Sequence, residues 1–244
     1  MGDCCKLAFF KTTKATGREI KLKDLDCYVT GSENAAGALV MVADIFGWKL
    51  NNARVLADQI SKEAGIAVYL PDLFLPDDHA PYDPEERAKW DQPAFMQRNP
   101  PTNFTKLETV AYAVLQKHKK LGAMGYCWGA QGSLHLGSKS LQLASAVGFA
   151  HPVLSDTKPF ENLAMPALFL CCAVDRFLGP ELRREVEQVM FKKADDEGLI
   201  SKFVLYPGTA HGDLSRGDEK SAVTARAMGD AMKETAEFFK AWLN

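Results

Sequence analysis

The chain has 244 residues, of which 47% are hydrophobic and 25% charged, with a formal net charge of −2. That balance describes a globular chain able to bury a core without staples, and it favours neither nucleic acid nor an anionic membrane as a partner. No apolar run reaches the roughly 18 residues of a membrane-spanning helix, so no membrane partner is expected.

The opening Met1-Gly2-Asp3-Cys4-Cys5 lacks the layout of a secretion signal, and Lys6 stands where an acylation motif needs Ser or Thr. Cys4, Cys5, Cys27, Cys127, Cys171 and Cys172 therefore read as reduced thiols of a cytoplasmic protein. None stands in a C-x-x-C or in zinc-finger spacing, so neither a metal nor a cofactor is expected. Residues 19–22 and 26–30 predict a short hairpin, and Gly31-Ser32-Glu33-Asn34 a loop. The run 38–43 is continuously apolar, as in strands buried on both faces, and it ends at Asp44. Asn51 or Asn52 then caps a helix carrying Val55, Leu56 and Ile60 at helical spacing, which Gly65 closes before a second strand at 67–70. Strand, helix, strand is the unit of a parallel sheet.

Residues 71–104 hold seven of the twelve prolines, with Trp90, Phe95 and Phe104 interspersed. A long connection after a strand end is where α/β enzymes put binding elements, so this stretch reads as part of a substrate wall; the alternative is a surface excursion with one short helix near 84–90. The alternation then resumes. Helices are expected at 105–116, 130–137, 180–195 and 219–243, with strands at 121–125, 144–149, 167–173 and 202–206. The fold class is α/β.

Gly125-Tyr126-Cys127-Trp128-Gly129 has the spacing G-x-C-x-G, which is the strand-to-helix nucleophile elbow with sulfur in place of oxygen. At the flanking positions a side chain would meet the adjoining strand and helix. A small buried cysteine in an ordinary turn is the alternative. Catalytic groups gather beyond the carboxyl ends of parallel strands, and Asp44, Cys127, Asp175 and His211 all stand there. Singly, Asp175 reads equally as a loop cap and His211 as a satisfied loop histidine. Together, Cys127, Asp175 and His211 follow the order nucleophile, acid, histidine, each just past a predicted strand. His211 would manage the thiol proton and Asp175 would hold the imidazole. The helix after Cys127 points its positive end near the sulfur. Backbone N–H groups of Ile45 and Trp128 are placed to form an oxyanion hole. This set suits acyl transfer from an ester, lactone or thioester to water.

With Asp44-Ile45-Phe46-Gly47, the cysteine elbow, Ala150-His151-Pro152, Asp175, His211-Gly212 and Arg216-Gly217-Asp218 in hand, the chain resembles the dienelactone hydrolase family (carboxymethylenebutenolidase-like proteins), particularly its fungal branch. The resemblance implies one α/β-hydrolase domain over residues 1–244, with a mostly parallel central sheet and helices on both faces. It implies a Cys-Asp-His triad that opens a lactone or small ester as its small-molecule partner. It also implies an acidic residue, here Asp44, touching the nucleophile and keeping the thiol dormant until substrate arrives. Arg216 matches an arginine that holds a substrate carboxylate; a second one finds no clean match in Arg87 or Arg98. Asp213 stands where the family's phenylalanine is common, which disfavours an anionic substrate. Trp48 and His151 are implied pocket residues. Each has a structural alternative: Asp44 as a turn cap, Arg216 as a surface partner of Asp213 or Asp218, Trp48 as strand-end packing, and His151 as a turn histidine beside Pro152. Two other functions share the pattern, a thioesterase or tailoring hydrolase acting on a polyketide-type intermediate and a hydrolase-fold ligand-binding protein with little turnover.

Overall fold

The computed structural model describes residues 11–102 and 104–244; the readings of Gly2, Cys4, Cys5 and Lys6 lie outside the described residues. Among the described residues eight strands form one sheet: β1 Arg18–Leu22, β2 Leu25–Thr30, β3 Gly37–Val42, β4 Ala67–Pro71, β5 Lys120–Tyr126, β6 Ala146–Ala150, β7 Ala167–Val174 and β8 Ser201–Ala210. Their spatial order is β1-β2-β4-β3-β5-β6-β7-β8. β1 pairs antiparallel with β2, and β2 with β4; from β4 onward every pairing is parallel.

The helices are α1 Asn51–Ala64, α2 Pro84–Lys89, α3 Gln92–Arg98, α4 Thr105–Leu115, α5 Ala130–Leu136, α6 Lys158–Glu161, α7 Pro180–Glu197, α8 Asp213–Arg216 and α9 Ala222–Leu243. Along β3 every residue is buried, because alternate side chains enter two different cores. Val40 and Val42 join the cluster that holds Leu107 and Val110 of α4, Leu134 of α5 and Val186 of α7. Leu39 and Met41 join the other, with Leu56 and Ile60 of α1 and Ala236 and Phe239 of α9. Burying a large apolar side chain such as Phe239 contributes about 1.5–3 kcal/mol. The sheet is thus sandwiched, and its carboxyl ends are left to carry loops.

Four local expectations change. Neither Asn51 nor Asn52 caps α1: Leu50 is the N-cap residue and makes no side-chain cap bond. Instead Asn51 Nδ2 donates to the Lys11 and Thr13 carbonyls, and Asn52 Oδ1 accepts from the Lys11 amide, tying the entry segment to the helix. The 71–104 excursion holds two short helices rather than one, each capped by an aspartate, Asp83 and Asp91, just before a proline-containing first turn. α9 begins at Ala222 rather than near residue 219, because the Ser221 side chain caps it. β8 runs on through Pro207 and Gly208 to Ala210, past a register shift between Cys172 and Val174 of β7, where Val174 pairs with Ala210. That extension delivers His211 beside Asp175: the His211 amide donates to the Val174 carbonyl at 3.0 Å.

Candidate active site

Cys127 follows β5 directly, at φ +52°, in the left-handed region that a non-glycine residue occupies only when its surroundings force it. The two elbow glycines supply that force. A Cβ on Gly125 would lie 2.3 Å from the Gly129 carbonyl oxygen, and one on Gly129 would lie 2.3 Å from the Val42 carbonyl oxygen. Backbone therefore packs on backbone on both sides, and the turn has no room to relax.

Cys127, Asp175 and His211 come together. His211 Nε2 lies 3.1 Å from Cys127 Sγ, and His211 Nδ1 lies 2.8 Å from Asp175 Oδ2. All three residues are buried. The second oxygen of Asp175 accepts the Phe177 amide at 2.8 Å, so the carboxylate also caps its own loop; the two readings of Asp175 coexist. Phe177 in turn sets its ring edge-on to His211, 5.0 Å between centroids. Among the described cysteines, burial pushes the thiols of Cys27, Cys171 and Cys172 up to about 12, which leaves them inert as nucleophiles near neutral pH.

Asp44 and Arg216 meet from opposite ends of the sequence. Arg216 Nε donates to Asp44 Oδ2 at 2.8 Å across 172 residues. Asp44 Oδ1 accepts the Phe46 amide at 2.9 Å, and the Gly47 amide donates to the Asp44 carbonyl, so the carboxylate caps its turn as well as pairing with the arginine. Arg216 is 1% exposed, not a surface residue. Its guanidinium lies 5.0 Å over the Phe46 ring and against Gly212, where a Cβ would fall 2.4 Å from Nη1. Asp213, read as an extra acid near an anion site, instead accepts the Ala210 amide at 2.7 Å and so fastens the histidine loop.

A cavity of about 390 Å³ opens at Cys127, within the range of small-molecule sites. Ile45 and Trp128 both line it, together with Met96, Gln131, Leu154 and Phe177. The contribution of Met96, Gln92 and Pro101 puts the 71–104 excursion on its wall. Trp128 anchors that wall: its Nε1 donates to the Asn99 carbonyl at 3.2 Å and its ring meets Phe74 edge-on at 4.8 Å. Trp48 is not on the lining. Its ring stacks under Arg54, whose Cζ is 4.8 Å from the ring centroid, and Arg54 Nε donates to the Trp48 carbonyl.

His151 is off the lining too. It lies behind His211, fully buried at φ +38°, with the two rings edge-to-face at 5.0 Å. Among the described residues neither ring nitrogen has a hydrogen-bond partner, so it does not match the satisfied turn histidine either. Burial, then the His211 and Arg216 charges, hold its pKa well below the usual histidine range and keep the ring neutral.

Sequence reasoning missed Phe177, Leu154 and Gln131. The available signal was position: Leu154 and Phe177 follow the carboxyl ends of β6 and β7, and Gln131 lies four residues past the nucleophile. Among the described residues no helix is long and apolar enough to cross a membrane.

The family model of the dienelactone hydrolase family matches residues 25–243. A human carboxymethylenebutenolidase homolog is 32% identical over 207 residues, covering 82% of this chain and 80% of its own. An uncharacterized AIM2 family protein of Schizosaccharomyces pombe is 27% identical, with 98% of this chain and 99% of its own covered. A crystal structure from Klebsiella pneumoniae, assigned as a dienelactone hydrolase, superposes with a TM-score of 0.70 over 93% of this chain and 98% of that one; at 18% identity it shows the shared fold. The match over nearly the whole chain, carried on this α/β-hydrolase sheet, establishes that the protein belongs to the dienelactone hydrolase family and is a carboxylic-ester hydrolase.

Proposed function

We propose that the protein hydrolyses a lactone or small carboxylic ester through an acyl-thioester on Cys127. The observation that carries this reading is the continuous chain of contacts from Cys127 Sγ through His211 to Asp175, at 3.1 and 2.8 Å. The thiol gives its proton to the imidazole, Asp175 stabilises the resulting cation, and the thiolate attacks the substrate carbonyl carbon. Negative charge gathers on the carbonyl oxygen, which the backbone N–H groups of Ile45 and Trp128 receive. The C–S bond is now made. As the carbonyl re-forms, the C–O bond to the leaving alkoxide breaks and His211 returns the proton to that oxygen. Water then enters, gives a proton to His211 and attacks the thioester carbon. The C–S bond breaks, His211 returns that proton to the departing sulfur to regenerate the thiol, and the products are an acid and an alcohol, joined as one hydroxy acid when the substrate is a lactone.

Asp44 governs the resting thiol in this reading. Its carboxylate is held by Arg216 and the Phe46 amide. A substrate that disturbs this arrangement turns the carboxylate toward the sulfur, as the family resemblance implies. Arg216 then acts as keeper of Asp44, and His151 and Trp48 act in the packing behind the site. The test is steady-state hydrolysis of an aryl ester by Cys127→Ala. The variant should keep the wild-type circular dichroism and lose turnover to background. Retained turnover would sink the cysteine mechanism.

A further inference from the structure

We infer that the acyl or lactone portion of the substrate is uncharged and apolar. The inference rests on the hydrolase reading above and names the substrate class that its cavity accepts. Among the described residues the wall at Cys127 is built from Ile45, Met96, Leu154 and Phe177, and its polar side chains, Gln92, Gln131 and Ser155, carry no charge. Gln131 spends its amide Nε2 on the Val153 carbonyl at 3.1 Å. A carboxylate brought into such a cavity loses its water and finds no cation in exchange.

Among the described residues, four arginines near the cavity are engaged with the protein itself. Arg216 holds Asp44, clamped between the Phe46 ring and Gly212. Arg98 pairs with Asp78 through two bonds of 2.9 Å. Buried Arg87 gives Nη1 to the Pro81 and Tyr82 carbonyls, closing the excursion on itself. Arg176, next in the chain to Phe177, is exposed and lays its guanidinium 4.5 Å over that ring rather than onto the lining. Arg216 stands off the lining, with its Nε on Asp44 Oδ2.

The experiment uses the full-length protein and three p-nitrophenyl esters with one leaving group: hexanoate, the monoester of adipic acid, and its methyl-capped neutral form. Each kcat/KM is divided by that ester's own uncatalysed rate constant. The two neutral esters should be hydrolysed well, and the free carboxylate should lower the ratio by roughly 100-fold or more. Met96→Lys, on the half-buried outer wall of α3, should raise the adipate-to-hexanoate ratio at least ~10-fold by supplying the missing cation. An adipate ester processed within about 3-fold of hexanoate by the wild type overturns the inference and leaves the hydrolase reading standing. An unchanged ratio in a Met96→Lys protein with wild-type circular dichroism overturns the placement of the acyl group in this cavity. Failure of all three esters to be turned over or to acylate Cys127 overturns the hydrolase reading, and this inference with it.

Discussion

Replacing Arg216 with methionine keeps much of the alkyl stem and removes the guanidinium that compensates Asp44. Arg216 is 1% exposed and Asp44 6% exposed, and their bond is 2.8 Å long, so the pair is shielded from water and salt. The variant leaves a buried carboxylate that keeps, among the described residues, its bond to the Phe46 amide at 2.9 Å. Breaking one side of a buried pair costs about 3–5 kcal/mol, against at most about 1 kcal/mol for an exposed one. For a chain of this size each kcal/mol moves Tm by about 2–4 °C, so the expected fall is roughly 6–20 °C. The assay is thermal and urea unfolding of wild type, Arg216→Met, Asp44→Asn and the double variant. Because the pair acts as a unit, the double variant should recover more than about 1 kcal/mol relative to the sum of the singles. Additive effects, or a loss below about 1 kcal/mol for Arg216→Met, would refute the buried-pair argument.

His211→Ala and Asp175→Asn should each lower kcat roughly 10³-fold or more, and the double variant should fall little further, since the contacts act in series; multiplicative losses in steady-state assays would mean they do not. Gly125→Ala should destabilise the fold by about 3 kcal/mol or more, because the new Cβ would press on the Gly129 carbonyl and Ala130 backbone, whereas Gly229→Ala in α9, with nothing within 4 Å, should gain about 0.5–1 kcal/mol. Equal melting temperatures for those two variants would contradict the elbow packing. His151, held neutral below its ordinary 6.5, makes the unfolded chain the better proton binder in acid; its penalty is absent above that value and grows as pH falls below it, by up to about 1.4 kcal/mol per unit. His151→Phe should remove that part of the slope in urea unfolding between pH 5 and 7, and parallel curves for the two proteins would contradict it.

The sheet was legible because its strands are buried on both faces, so runs such as the one ending at Asp44 stand out from the amphipathic helices between them. The elbow was legible for a steric reason, as Gly125 and Gly129 are where backbone meets backbone. The partnership of Asp44 with Arg216 was not. Nothing local to Arg216 distinguishes a buried arginine from a surface one beside Asp213 and Asp218, and the groups that bury it, Phe46 and Gly212, come from separate loops. Asn51 and Asn52 were misread for a related reason: their side chains serve the entry segment forty residues away, which outweighs a local cap. The cavity wall was legible only as a region, since which side chains of 71–104 face Cys127 depends on two short helices and on the Trp128 anchor.

The acyl-thioester is tested most directly by trapping it. The enzyme is mixed rapidly with p-nitrophenyl hexanoate, whose fast leaving group lets acylation outrun deacylation, quenched in acid within milliseconds to seconds, and read by intact mass and by peptide mapping. The account predicts one added hexanoyl group on the peptide carrying Cys127, labile to hydroxylamine, decaying with turnover and absent from Cys127→Ala. Turnover with no adduct at any quench time in a His211→Ala protein slowed enough to accumulate one, or an adduct that maps to a different residue, would contradict it.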